Sequence, residues 1–528
     1  MDHKDNDAHS IDSIRRRRFL GGAAATAAAA AAALTLGSLP GHALGLPGDV
    51  QSSKPAKRLR RNINAPGFPS HVIDTYALAI RRLLALPPED PRNWYRIAFT
   101  HQLDCPHGNW WFLPWHRAYI GWFERICGEI TSTPDFALPY WDWTASPNMP
   151  SQFFQGVLDP ANRAFLQSRL DFERVMRAPL QALWNSFTPK QRQVLEQRGY
   201  MTFDQLWLDA TKPQTLLLGA RNLTASNPGL PNDARRLTSP ESIRAALAPR
   251  NFTGFGSEKT AHHSAGGPFG MLEVAHNIVH VGVGGLMGDF MASCDPIFWL
   301  HHANLDRLWD EWILLQRTEG LAELPSAGDD FDKWNAEPYE FFVDELGLPV
   351  TGYDSYRYAQ ASTFGYSYQG GTSTGLRAPI TRFPREYTGH VTSPNCSMDS
   401  PAAGAVNVPP ELLSQMATGD ASLITIMISL GSPSDPTAWY FDVSLGSDNA
   451  SVPEQSIGCF RAFGSHSGHH HSGDLSFALA LGPAIKERHA AGKLDLNKPL
   501  SIKVAMRPVR NGTRSETLTC AVMNVKLS

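Results

Sequence analysis

Between His71 and Leu86 the apolar residues Ile73, Tyr76, Ala77, Ile80, Leu83 and Leu84 recur close to i, i+3, i+4, i+7. That is the stripe of an amphipathic helix, and Pro87-Pro88 stops it. Asp90-Pro91 reads as an N-cap with Pro at the first helical position. The helix it opens runs to about His101, with Trp94, Ile97, Ala98 and His101 on one face. Helical patterning returns at 113–129, 272–280 and 296–316. The stretch 149–264 is mixed, with short helical patterns at 191–198 and 240–247 joined by Gly, Pro and Asn. Near Asp344 the texture changes to a Tyr-, Gly- and Ser-rich run without a period. After a Pro-, Thr- and Ser-rich stretch, strict alternation takes over at 422–429, 439–445, 500–506 and 518–525, the pattern of half-buried strands. The fold class predicted is a mainly α domain followed by a small C-terminal β-sandwich.

Composition narrows the function. Of 528 residues 42% are hydrophobic and 18% charged, so the chain can bury a large core. A net charge of −3 offers no basic excess for phosphates, and no nucleic-acid partner is expected. Six Cys are too few for a disulfide scaffold. The N-terminus reads as an address: Arg15 to Arg18, then Phe19-Leu20, an Ala-rich run to Leu39, and a small-residue cleavage site after Ala43. The Arg-Arg-Arg-Phe-Leu order resembles a twin-arginine signal. Residues 1–43 are therefore expected to be removed on export through the twin-arginine machinery, which places the protein in a periplasmic or secreted location. Residues 44–64 read as a basic extended arm, 65–377 as the helical catalytic domain, 378–407 as a linker and 408–528 as the sandwich.

Nineteen His are the candidate chemistry, because neutral imidazole is a common metal ligand. One cluster holds His101, His107 and His116; the other holds His276, His280, His301 and His302. His276 and His280 are i and i+4, so both rings leave one face of a helix. His107 and His116 would point to opposite sides of a single helix, so His107 belongs on a loop. His301 and His302 are about 100° apart on a helix, so only one should face a metal that the other does not. Each cluster can thus offer three imidazoles. All-imidazole sets suit Cu, Zn, Fe or Ni. Two-metal hydrolases normally add bridging carboxylates, and neither cluster places one at ligand spacing. Copper fits this donor set best, with a di-zinc hydrolase as the competitor. The tract from His466 to His471, flanked by Gly and Ser, reads as a solvated loop outside the site.

Several segments together resemble the type-3 copper proteins, the family of tyrosinases, catechol oxidases and hemocyanins. They are Cys105-Pro-His107-Gly-Asn-Trp-Trp-Phe-Leu-Pro-Trp-His116-Arg117, Leu138-Pro-Tyr-Trp-Asp-Trp143, His276-Asn277-Ile-Val-His280 and the run from Asp295 through His302 to Arg307. The likeness covers about residues 65–335. Tyr366-Ser-Tyr368 and Trp439 to Val443 resemble parts of plant-type polyphenol oxidases. The resemblance implies a four-helix bundle around two copper ions, one held by His101, His107 and His116 and the other by His276, His280 and His302. Cys105 and His107 would form a thioether crosslink. Glu273 and Asn277 would hold a water that deprotonates incoming phenol, although plant-type relatives carry that Glu one residue earlier. Val281 would line the substrate entrance, Phe290 would shield the first copper, and Asp306 and Arg307 would brace the site. The implied reaction is oxidation of phenols by O2: o-diphenols to o-quinones, with ortho-hydroxylation of monophenols. An oxygen carrier of the hemocyanin kind, or a catechol or o-aminophenol oxidase without monophenolase activity, uses the same ligands. The C-terminal domain resembles the shielding domain of latent polyphenol oxidases.

Overall fold

The structure is a computed structural model that describes residues 58–212, 221–326, 328–370, 385–418, 424–434, 438–446, 453–461, 475–509 and 515–527. The signal, the start of the arm, the first part of the linker and the tract His466 to His471 lie outside the described residues. Helices α1 (Ser70–Ala85), α2 (Trp94–Asp104) and α3 (Phe112–Thr131) come first. After short 3-10 turns come α4 (Arg169–Ser186), α5 (Pro189–Gln197), α6 (Phe203–Ala210), α7 (Asn232–Leu237) and α8 (Pro240–Leu247). Helices α9 (Met271–Val283) and α10 (Ile297–Glu319) complete the core.

Local signals explain most boundaries. The α2 cap is Asn93, whose side chain accepts from Tyr95 N, rather than the expected Asp90. Asp90 is instead occupied by the backbone and guanidinium of Arg92. Left-handed Ser132 and Gly320 end α3 and α10. Thr188 and Thr202 close capping boxes on α5 and α6. Helix α4, with Pro179 inside it, is not legible in the sequence as one helix. In α2, α3 and α9 burial extends well beyond one face. These helices are packed on several sides, as core helices are.

The described end of the basic arm is built in, which corrects its reading as an extension. Strand β1 (Arg58–Arg60) pairs in parallel with β2 (Tyr366–Tyr368). Arg60 is fully buried. Its Nε donates to Glu124 Oε2 at 2.8 Å and its Nη1 to Asp306 Oδ2 at 3.1 Å, with the guanidinium 3.5 Å over the Tyr366 ring. Its partners are distant in sequence, so the basic run resembles a solvated one.

The C-terminal region is a sandwich of two antiparallel sheets. One runs β10 (Leu475–Ala480), β7 (Ile424–Leu430), β12 (Leu518–Leu527), β3 (Arg385–Tyr387), with β5 (Asn395–Cys396) also on β12; the other runs β4 (Gly389–Ser393), β6 (Ala402–Val406), β11 (Leu500–Pro508), β8 (Trp439–Leu445), β9 (Gln455–Phe460). Strands β3 to β6 fall inside the segment read as a linker at 378–407. That reading is corrected for 385–406: short Gly- and Ala-containing strands carry too little apolar alternation to stand out. Strand β8 alternates buried and half-buried positions, but every residue of β10 is buried. Its outer side is covered by the helical domain: Phe269 N donates to Ser476 O at 2.9 Å, and the Phe269 ring lies 5.3 Å from Phe460. Phe269 directly precedes Gly270, the N-cap of α9. The sandwich thus docks at the root of the helix that carries His276 and His280.

Candidate metal centre

Helix α2 presents His101, α3 presents His116, α9 presents His276 and His280, and α10 presents His301 and His302. His107 sits on the loop between α2 and α3, as its spacing required. That loop turns at Gly108, with φ +67°, and packs back to back on Gly267; a Cβ on Gly108 would meet Gly267 O at 2.7 Å. No larger residue fits there.

Hydrogen bonds orient the rings. Nδ1 of His101, His116 and His280 lies 2.7 Å from the carbonyl oxygens of Phe290, Phe112 and Met287 respectively. Nδ1 of His276 lies 2.8 Å from Asn277 Oδ1. A carbonyl oxygen only accepts, so these four rings carry their proton on Nδ1 and present a lone pair at Nε2. The Nε2 atoms of His101 and His116 lie 3.4 Å apart, and those of His280 and His302 lie 3.2 Å apart. The two sets face one another: His116 and His302 stack at 4.6 Å with an 11° interplanar angle, and His107 stands 5.5 Å from His276.

Burial holds these imidazoles neutral. It drives His116 and His280 down to about 3 and His101, His107, His276 and His302 well below the usual imidazole range. The first pair, with both Nδ1 protons committed to carbonyls, has two lone pairs face to face and no proton between them. Such an arrangement is repulsive unless a cation lies between, so the residues fit a metal. No carboxylate belongs to either group of ligand atoms. Cys105 does share a group with His101 and His107 within 4.8 Å. Burial pushes its thiol up to about 12, which makes it a poor metal ligand beside three neutral imidazoles.

His301 departs from the sequence expectation, because it stands with His276, His280 and His302 in one group within 4.8 Å. Its Nδ1 accepts from Trp143 Nε1 at 3.1 Å. An indole N–H only donates, so neutral His301 carries its proton on Nε2 and offers no lone pair there.

The remaining site residues sit as follows. Phe290 is buried, with its ring 5.6 Å from His107 and 6.1 Å from His101. Val281, directly after His280, is half-buried. Asp306 accepts from Tyr366 and Tyr368 hydroxyls at 2.6 Å each and is paired with Arg60 and Arg117. Arg307 donates to Asn304 Oδ1 at 2.9 Å and Glu311 Oε2 at 3.2 Å. Glu273 and Asn277 are not bonded to each other. Glu273 Oε1 accepts from Gly108 N at 2.7 Å and Oε2 from Ser257 Oγ at 2.8 Å. Burial nonetheless raises its carboxyl to about 8. The carboxylate therefore ties the His107 loop to α9. The Phe290 carbonyl carries no sequence signal, since its partner His101 lies far along the chain.

Residues 91–315 match the family model for the common central domain of tyrosinase. Tyrosinase HcTyr1 from Hahella sp. is 31% identical over 252 residues, 47% of this chain and 43% of that protein. The chloroplastic polyphenol oxidase of Spinacia oleracea is 25% identical over 378 residues, 64% of this chain and 52% of that one. The chain thus spans about half the length of these curated relatives. The solved structure of latent apple tyrosinase superposes with a TM-score of 0.54 at 20% identity, covering 90% of this chain and 98% of that one. This likeness supports the two-part fold, a helical domain followed by the sandwich. Over residues 91–315 the chain is therefore similar to the tyrosinase central domain, and over part of its length to tyrosinases and polyphenol oxidases.

Proposed function

We propose that this chain is a copper-dependent phenol oxidase that converts o-diphenols to o-quinones with O2 and hydroxylates monophenols at the ortho position. The observation that carries the reading is the opposed pair His101 Nε2 and His116 Nε2, lone pair to lone pair at 3.4 Å, with the Nε2 atoms of His280 and His302 also brought to 3.2 Å in the second set. His101, His107 and His116 would hold one copper; His276, His280 and His302 would hold the other. The Nε2 proton assigned to His301 favours His302 as the third ligand. The chemistry supplied by a bound copper pair is electron transfer from phenol to O2, two o-diphenols yielding two o-quinones as one O2 becomes two waters.

The chain's own residues do the rest. The Phe290 ring shields the first site, and Val281 lines the entrance for a flat aromatic substrate. The amide of Asn277 keeps His276 in register and retains Nδ2 without a hydrogen bond among the described residues, a donor for a water or phenol oxygen. Glu273, raised to about 8, can in its ionised form take up a phenol proton through such a water while it holds Gly108. The closeness of Cys105 to His107 supports a thioether, whose formation removes two hydrogens and needs a two-electron oxidant such as O2. Mass spectrometry of the peptide spanning both residues tests it. Export by the twin-arginine machinery follows from the Arg-rich N-terminus. The docked sandwich acts as a shield whose displacement raises activity.

The deciding experiment is copper reconstitution followed by parallel assays on a monophenol and its o-diphenol. Two copper per chain with turnover of both substrates is expected. Reversible O2 binding without turnover would make the protein a carrier, and an active protein holding only zinc would overturn the proposal.

A further inference from the structure

His263 lies in the loop that leads into α9 and is none of the imidazoles discussed above. Its ring is buried between two carboxylates: Nε2 is 2.7 Å from Asp104 Oδ1 and Nδ1 is 2.6 Å from Glu337 Oε1. Its backbone N–H donates to the same Glu337 oxygen at 2.6 Å. An ionised carboxylate only accepts, so a ring with a carboxylate on each nitrogen needs a proton on each. Burial works against that charge, but the two carboxylates outweigh it and lift the imidazole to about 9. The neighbouring Tyr339 and His262 add no charge of their own. The Tyr339 ring, 6.0 Å away, has its phenol pushed well up by burial, and burial lowers the adjacent His262.

The clamp reaches every histidine of the first set. Asp104 ends α2, midway along the chain between His101 and His107. Its Oδ2 accepts from Trp115 Nε1 at 2.9 Å, and the Trp115 ring packs 4.9 Å from the next residue, His116. The carbonyls of His263 and Ala265 accept from Asn109 Nδ2 at 2.9 and 3.0 Å, two residues beyond His107. The charged ring therefore ties the end of α2 and, through Trp115, the start of α3 to the segment carrying Glu337, while the backbone on either side of it holds the His107 loop.

We propose that His263 is a positioning residue for the first metal site: an imidazolium clamped between Asp104 and Glu337 that fixes the loop bearing His107. This rests on the copper reading above. The first test needs no variant. In the copper-loaded, reduced and therefore diamagnetic protein, both His263 ring nitrogens should carry protons at neutral pH, seen as two downfield ring N–H resonances that vanish in His263→Gln. The second test is copper affinity by competition with a chelator. His263→Gln should weaken one of the two coppers by about tenfold or more, within the range seen when groups behind metal ligands are removed. Glu337→Gln, which keeps the Asp104 bond, should lie between His263→Gln and the native chain. Copper retention by the native chain should fall as pH rises through about 9, whereas His263→Gln should show no such step. A single ring proton at neutral pH, or His263→Gln holding both coppers with native affinity, overturns the proposal. Failure of the native chain to bind a copper pair would instead sink the functional reading.

Discussion

At the scale of single residues, the two adjacent histidines of α10 make a sharp test. Trp143 donates to His301 Nδ1, whereas His302 Nε2 faces His280 Nε2. Replacing His302 with Ala should leave one copper per chain, while His301→Gln should keep both and lose only the indole bond. Copper counts in the opposite order would reassign the ligand. Asn277 offers a second test. A monophenol must lose its proton before it is hydroxylated, whereas an o-diphenol needs no hydroxylation step. Asn277→Ala should therefore depress the monophenol rate more than the diphenol rate; equal losses would leave Asn277 only the task of orienting His276. The grouping of the histidines and their loop and helix placement were legible from spacing. The distribution of protons on the rings was not, because it depends on carbonyls and an indole far away in sequence.

Elements impose their own constraints. Gly108 adopts φ +67° against Gly267, so Gly108→Ala combines left-handed strain with a clash. A loss of about 1–3 kcal/mol is expected, read as a lowered unfolding midpoint. A midpoint equal to the native one would mean that the two loops separate freely. The β1–β2 pair joins the two ends of the helical domain through Arg60. Removing that guanidinium takes the close charge partner from buried Glu124 and leaves Asp306 with Arg117 alone, so Arg60→Ala should cost about 3–5 kcal/mol. Chemical denaturation measures it, and a change under about 1 kcal/mol would mean that the network is no stronger than a surface pair. Sequence periodicity found α1, α3, α9 and α10 within a few residues. It misplaced the α2 cap, because Asp90 and Asn93 both suit an N-cap and only the fold chose between them. It also passed over β3 to β6, whose short runs lack a pattern.

For the whole molecule, the buried histidines set the response to acid. Their imidazoles ionise far less readily folded than unfolded, so they contribute stability that is present above the unfolded value of 6.5 and lost as pH falls toward about 3, where His116 and His280 charge. Copper and fold should be lost together on acidification, followed by metal content and circular dichroism; copper still held well below about 3 would contradict the assignment of the ligands. The sandwich poses the other molecular question. Cleavage within 378–384, by an inserted protease site, leaves strands β3 to β12 whole. If the sandwich shields the site, catechol oxidation should rise several-fold with both coppers retained, and unchanged turnover would make the sandwich a stabilising domain alone.

What the amino-acid order determined by itself was chemistry carried over short spans. The i, i+4 pair at His276 and His280, the loop histidine nine residues before His116 and the alternation of the late strands are local patterns that hydrogen bonding and sterics convert directly into structure. Only the tertiary structure decided that the Trp143 indole takes up Nδ1 of His301, that Arg60 is core rather than arm, that Glu273 holds Gly108, and that His263 sits between Asp104 and Glu337. Each of these depends on groups brought together from far along the chain in a buried setting, where one proton or one charge must be matched by a partner. No spacing in the sequence encodes that matching; it comes into being when the helices pack.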